Sequence, residues 1–152
     1  MDKFDKQILS LLQQDCTLSM TEIAEKVGLS STPCWRRIQA MEKAGIIRGR
    51  VALADNEKLN VSLTVFVTIR TNQHNPEWLA SFAAVADEFP EVIEFYRMSG
   101  DVDYLLKVVV SDMKAYDRFY KKLITKASFA DISSSFAMEE IKYTTALPVD
   151  YG

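Results

Sequence analysis

The chain has 152 residues, 48% apolar and 26% charged, with a net charge of −3; this is the composition of one or two folded domains and far from that of a disordered chain. Its longest apolar runs, such as Val108-Val109-Val110, are far too short for a membrane-spanning helix, and the charged start Met1-Asp2-Lys3-Phe4-Asp5 lacks the apolar stretch of a secretory signal. Two cysteines, Cys16 and Cys34, cannot build a disulfide framework or a four-ligand zinc site, so a cytoplasmic protein is expected.

In chain order, Asp2 is placed to cap a helix in which Phe4, Ile8, Leu11 and Leu12 share one face. A second helix starts after Ser19, buries Ile23, Ala24 and Val27, and stops at Gly28, since glycine accepts the left-handed conformation past a helix end. Ser30 or Ser31 caps a third helix with Pro33 in its first turn and Cys34, Ile38 and Met41 inward, closed by Ala44-Gly45. Ile46 to Leu53 is β-leaning and basic, and Ala54 to Lys58 is a polar connector.

From residue 61 the hydrophobic period becomes two: Val61, Leu63, Val65, Val67 and Ile69 alternate as a strand. Asn75-Pro76 opens a helix with Leu79, Phe82, Ala83, Ala86 and Phe89 on one face, stopped by Pro90. Val92–Met98 and Tyr104–Val110 form a hairpin around Gly100-Asp101. Asp112 caps a helix with Tyr116, Phe119, Tyr120, Leu123 and Ala127 inward, and a last strand runs from about Ile132 to Ile141. The order β-α-β-β-α-β predicts a ferredoxin-like fold, an antiparallel sheet with both helices on one face. A partner subunit is the simplest cover for the other face. The expected class is α+β, divided into a helical domain (1–50), a linker with a short strand (51–60) and the ferredoxin-like domain (61–152).

Charge is unevenly spread. Residues 1–60 carry 9 basic and 8 acidic groups, whereas residues 61–152 carry 9 and 13. Within residues 33–50, Arg36, Arg37, Lys43, Arg48 and Arg50 face only Glu42, which makes this the one segment with electrostatic support for binding phosphate. Thr21 to Ala44, with Gly28-Leu29-Ser30 as the turn, has helix-turn-helix spacing, and the second helix of such a motif enters the major groove of DNA. Ser31, Thr32, Trp35, Arg36, Gln39 and Ala40 are its forward or outward positions; Arg36 suits guanine and Gln39 adenine. Arg37, Lys43, Arg48 and Arg50 suit phosphates. Trp35 fits either the DNA backbone and a thymine methyl or the small helical core.

Gly100-Asp101-Val102-Asp103-Tyr104 reads in two ways. Aspartate and glycine are ordinary hairpin-turn residues, but together with Met98 they also suit a zwitterion, with carboxylates for the ammonium and apolar groups for the side chain. Ser133-Ser134-Ser135 adds hydroxyls. Two carboxylates do not fill a divalent-metal shell, so no metal site is expected. The single histidine, His74, lies in a polar loop, and no nucleophile–base pair, Walker loop or Gly-x-Gly-x-x-Gly run is present, so neither an enzyme nor a cofactor is expected.

Asp5-x-x-Ile8-Leu9-x-x-Leu12-Gln13, Ile23-Ala24-x-x-Val27-Gly28-Leu29-Ser30, Thr32-Pro33-Cys34-x-x-Arg37-Ile38, Glu42-x-x-Gly45-Ile46-Ile47 and Ser99-Gly100-Asp101-x-Asp103-Tyr104-Leu105-Leu106 together resemble the Lrp/AsnC family, the feast/famine regulators, from about residue 2 to residue 147. The resemblance implies a winged helix-turn-helix, a strand-containing linker and a ferredoxin-like domain that dimerises and builds octameric discs, with an amino acid bound between dimers. It maps Thr32–Lys43 onto the recognition helix and Gly100–Tyr104 onto the effector loop. Met113 and Ser135-Phe136-Ala137 map onto positions that respond to ligand. Where the family often has Leu-Pro-Gly before the last strand, this chain has Ala127-Ser128-Phe129-Ala130, and the serine triplet is a further candidate for setting effector choice.

The expected function is sequence-specific transcriptional regulation on pseudopalindromic double-stranded DNA. Met98, Val102 and Phe136 point to an apolar effector such as leucine or methionine. Its rivals are an architectural DNA-binding protein without an effector and an amino-acid-binding enzyme or enzyme subunit.

Overall fold

Asp2 and Ser19 each begin a helix with a reciprocal capping box: Asp2 with Asp5, and Ser19 with Glu22. The computed structural model describes residues 1–151. In it α1 spans Lys3–Gln14, α2 spans Met20–Val27 and α3 spans Ser31–Lys43. Gly28 ends α2 at φ 75°, in the left-handed conformation expected of it, and its N–H donates to Ala24. Ile8, Ile23, Ala24, Val27, Cys34, Ile38 and Met41 close a small core of their own. Cys34 has no exposed surface, and its burial pushes the thiol pKa up.

The second unit, Ala54–Glu140, holds β1 (Leu63–Arg70), α4 (Pro76–Asp87), β2 (Val92–Arg97), β3 (Tyr104–Val110), α5 (Met113–Lys126) and β4 (Asp131–Phe136). The sheet is antiparallel in the order β2-β3-β1-β4, the ferredoxin-like arrangement. Val65, Val67, Ile69, Tyr104, Leu106, Val108 and Val110 point to one face, under Phe82 and Phe89 from the α4 segment and Tyr116, Phe119 and Leu123 of α5. Phe82 is 1% exposed, with the rings of Trp78, Phe95, Tyr104 and Phe129 centred 5.2 to 5.8 Å away. The opposite face carries Phe66, Thr68, Tyr96, Leu105, Lys107, Val109, Ser133 and Ser135, all half-buried or exposed.

Three boundaries depart from expectation. The β-leaning run 46–53 and the linker 51–60 form no strand among the described residues; residues 50–60 are exposed, and the chain offers them no strand to pair with. The last strand stops at Phe136, because β4 pairs with β1 and the final bond, Ala137 N–H to Thr64, reaches the start of that strand. The segment Ile141–Tyr151 belongs with Met1–Leu53 and not with the ferredoxin-like unit; within it the Gln13 side chain of α1 holds Leu147 by two hydrogen bonds of 2.7 and 3.0 Å.

Candidate DNA-binding helix and effector site

A helix with Cys34, Ile38 and Met41 buried must present its remaining arc outward. On α3 that arc holds Thr32, Trp35, Arg36, Gln39 and Lys43, recurring at helical spacing, with Ser31 and Ala40 also exposed. Trp35 is 52% exposed, which removes it from the helical core and leaves its outward reading. Ser30 is the N-cap but its hydroxyl makes no capping bond, in contrast to Asp2 and Ser19, so the first-turn N–H groups of α3 are not engaged by a cap side chain.

The basic residues divide into two groups. Arg36, Lys43 and Arg48 are exposed and have no acidic partner among the described residues, and Arg50 Nη2 pairs with Glu42 Oε1 at 3.0 Å on the surface. Arg37 differs from the expected phosphate contact. Its Nη1 lies 2.7 Å from Asp2 and 2.8 Å from Asp5, and its guanidinium stacks 5.4 Å above the Phe4 ring. The Asp5 and Asp2 bonds raise its pKa further. The Asp2 carboxyl is lowered, first by accepting the Asp5 backbone N–H and then by Arg37. Arg37 therefore holds the start of α1 against α3, and its charge is already matched.

In the second unit the expected effector residues separate into two groups. Met98, Gly100, Asp101, Val102, Asp103 and the start of Tyr104 lie at the β2–β3 turn, where Gly100 has φ 109°. Asp103 is held tightly there: its carboxylate accepts the Thr71 N–H at 2.8 Å, its N–H donates to Ile69 at 2.9 Å, and its carbonyl accepts from Met98 at 2.7 Å. His74 Nδ1 stands 3.9 Å from the other carboxylate oxygen, and the Trp78 ring is centred 5.5 Å from that of Tyr104, tilted by 34°. Composition and motif reading missed Thr71, His74 and Trp78 as neighbours of this turn; only the pairing of Ile69 with Tyr104 reveals them.

Met113, Phe136 and Ala137 lie at the other end of the strands. Leu63 pairs with Val110 and Val65 with Phe136 there, whereas Ile69 pairs with Tyr104 at the turn end. Six residue steps along β1 separate the ends, roughly 20 Å at the usual strand rise. One copy of the chain therefore cannot enclose one amino acid with Met98, Val102 and Phe136, contrary to their expected joint role. The serine triplet is divided as well. Ser133 and Ser135 face the open side of the sheet, whereas Ser134 faces the helices and is hydrogen-bonded to the Tyr116 hydroxyl, with Phe136 edge-on to the same ring. A groove of about 500 Å³ between α4 and β2, lined by Ala83, Ala84 and Val92–Phe95 among others, includes none of the expected effector residues.

Two family models cover most of the chain. Residues 1–48 match a winged helix-turn-helix DNA-binding model, and residues 64–147 match the Lrp/AsnC ligand binding domain. The chain belongs to the Lrp/AsnC family. It is 52% identical over 151 residues to the DNA-binding transcriptional activator DecR of Escherichia coli K12, covering 99% of each chain. Its fold superposes with TM-score 0.96 on an AsnC family transcriptional regulator from Agrobacterium tumefaciens, 63% identical and 99% covered on both sides. A Neisseria meningitidis transcriptional regulator in complex with L-methionine superposes with TM-score 0.94 at 36% identity, covering 99% of this chain and 98% of that one. As an Lrp/AsnC member the chain is a DNA-binding transcriptional regulator with an amino-acid-binding domain, and not an enzyme. Among its described residues no helix is long and apolar enough to cross a membrane, and no three metal-ligating side chains converge.

Proposed function

We propose that the chain regulates transcription by binding pseudopalindromic DNA sequence-specifically, as a homodimer within a higher assembly such as an octamer, in response to an apolar amino acid such as methionine or leucine. The observation that carries this reading is the outward stripe of α3, with Thr32, Trp35, Arg36, Gln39 and Lys43 exposed on one arc while Cys34, Ile38 and Met41 are buried. Arg36 and Gln39 read base edges; Ser31, Thr32 and the exposed first turn of α3 meet the backbone, together with Lys43, Arg48 and Arg50. Ala40 and Trp35 supply apolar contact. Paired heads stand about 34–36 Å apart on the two half-sites.

The open sheet face, with Phe66 37% and Tyr96 49% exposed, supports dimerisation by pairing two such faces, and Ser133 and Ser135 then belong to that contact. The division of the effector residues between the two ends of the sheet supports a composite site. The turn Met98–Tyr104 of one copy meets Met113 and Phe136-Ala137 of another. The methionine complex of the Neisseria regulator supports methionine as effector.

Calorimetry with the twenty amino acids, together with solution mass with and without the tightest binder, tests this. The expected result is preference for methionine or leucine and a ligand-dependent change in assembly. Preference for asparagine or lysine overturns the apolar effector; equal affinity for all DNA sequences with no amino-acid response makes the protein an architectural one.

A further inference from the structure

A side-chain amide that bonds a distant backbone with both its donor and its acceptor imitates one rung of a β-ladder. Gln13, in the last turn of α1, does this to Leu147. The Leu147 N–H donates to Gln13 Oε1 at 2.7 Å, and Gln13 Nε2 donates to the Leu147 carbonyl at 3.0 Å. The following residue is Pro148, which restricts Leu147 to extended conformations and so prepares its backbone for such a rung. Beyond it, Val149 and Asp150 form one wall of a cleft of about 820 Å³ whose other walls include Leu11, Val27, Lys3, Lys6 and Lys26. Apolar and opposite-charge groups thus accompany the two hydrogen bonds.

Topology gives this anchor its consequence. The chain leaves the helical unit after Leu53 and returns to it at Ile141, so two covalent connections join that unit to the sheet. Both connections spring from one end of the sheet, since β1 begins at Leu63, β4 ends at Phe136, and the Ala137 N–H bonds the Thr64 carbonyl at 3.0 Å. That same end carries Met113 and Phe136-Ala137.

We infer that the segment Ile141–Tyr151 is a structural part of the DNA-binding head and acts as a second tether, anchored by Gln13 at Leu147, through which the sheet's effector state reaches the head. The transmission half rests on the amino-acid-sensing reading; the anchor half does not. A ligand that shifts Phe136-Ala137 pulls on a connector only about ten residues long, fixed at its far end, whereas a loose tail would absorb the shift.

The test uses the full chain and the variants Gln13→Ala and Gln13→Glu, the latter placing a carboxylate against the Leu147 carbonyl. Hydrogen exchange by mass spectrometry reads the anchor. Peptides covering residues 143–149 should exchange roughly tenfold or more faster in Gln13→Ala, as expected from losing two hydrogen bonds, with β1 and β3 unchanged. Equal exchange in wild type and both variants overturns the anchor. The ratio of DNA affinities with and without saturating L-methionine, or L-leucine where calorimetry finds that the tighter binder, reads transmission: it should fall towards one in the variants while the calorimetric affinity for that amino acid stays at the wild-type value. An unchanged ratio overturns transmission, and a wild-type protein that binds none of the twenty amino acids removes the sensing reading and transmission with it, leaving the exchange result to decide the anchor.

Discussion

Replacing three basic residues of α3 one at a time should produce three different signatures, because their surroundings differ. Arg36 is exposed and unpaired one turn into α3; Lys43 lies seven residues, about 10 Å, further along the same stripe. Arg37 is held by Asp2 and Asp5 at 2.7 and 2.8 Å. A bidentate base contact is worth about 1–3 kcal/mol, so Arg36→Ala should weaken binding to a preferred duplex by about 5- to 150-fold per head. Binding to a scrambled duplex should change little. Lys43→Ala should weaken both duplexes alike and make the slope of log affinity against log salt shallower by about 0.9 per lost phosphate contact. Arg37→Ala should leave the salt slope at the wild-type value and lower the stability of the head instead. Fluorescence anisotropy on a duplex selected from a random pool and on its scrambled version, at several salt concentrations, measures all three. Equal losses on both duplexes for Arg36→Ala, or a shallower slope for Arg37→Ala, would refute the division of roles.

Three further outcomes follow from the packing. Phe82→Ala should destabilise the ferredoxin-like unit by about 3–5 kcal/mol in denaturant unfolding, since the ring is 1% exposed among four other aromatics; a loss below about 1 kcal/mol would mean the cluster closes over the gap. Asp103→Ala strips the acceptor from the Thr71 N–H and should cost about 1–3 kcal/mol, whereas Asp103→Asn keeps that bond and should lower only amino-acid affinity; equal destabilisation by both would show that the charge, not the bond, holds the turn. The buried Cys34 has a raised thiol pKa, so its contribution to stability is complete below the ordinary thiol range and is lost as pH rises through the raised value. Thiol titration should accordingly find Cys16 reactive and Cys34 silent near neutral pH, and rapid labelling of both would contradict the burial.

Every helix and three of the four strands were legible in the sequence because their signals are local. Capping residues fix the starts of α1, α4 and α5, Gly28 fixes the end of α2, and period-two alternation fixes β1. The end of β4 was not legible, since it depends on where its partner β1 begins, and neither was the return of residues 141–151, which depends on one glutamine 134 residues away. The outward face of α3 followed from its buried stripe. The ion pairs of Arg37 are not legible in the sequence, because a cationic run gives no hint that Asp2 and Asp5 arrive from another helix. The effector residues were each nameable, but their distribution between the two ends of the sheet appears only in the strand register.

In the proposed composite site, that distribution couples sensing to assembly. If each proposed site is completed only where two copies meet, the ligand binds the contacted state and not the separated one, so it must strengthen the contact. At an amino-acid concentration near a hundred times the site's Kd the gain is about 2.7 kcal/mol per site, roughly a hundredfold in the association constant of each contact. Both connections to the head leave the sheet from the end that carries Met113 and Phe136-Ala137, so the contacts that the ligand would strengthen in this proposal lie at the end of the sheet where those connections begin. A change of assembly would then alter head spacing directly, and DNA that needs several heads at once responds more steeply than any single contact does. Wrapping such DNA costs on the order of 1–6 kcal/mol per strongly bent site; two ligand-strengthened contacts, at about 5.4 kcal/mol together, offset nearly all of that range, and one offsets less than half of it.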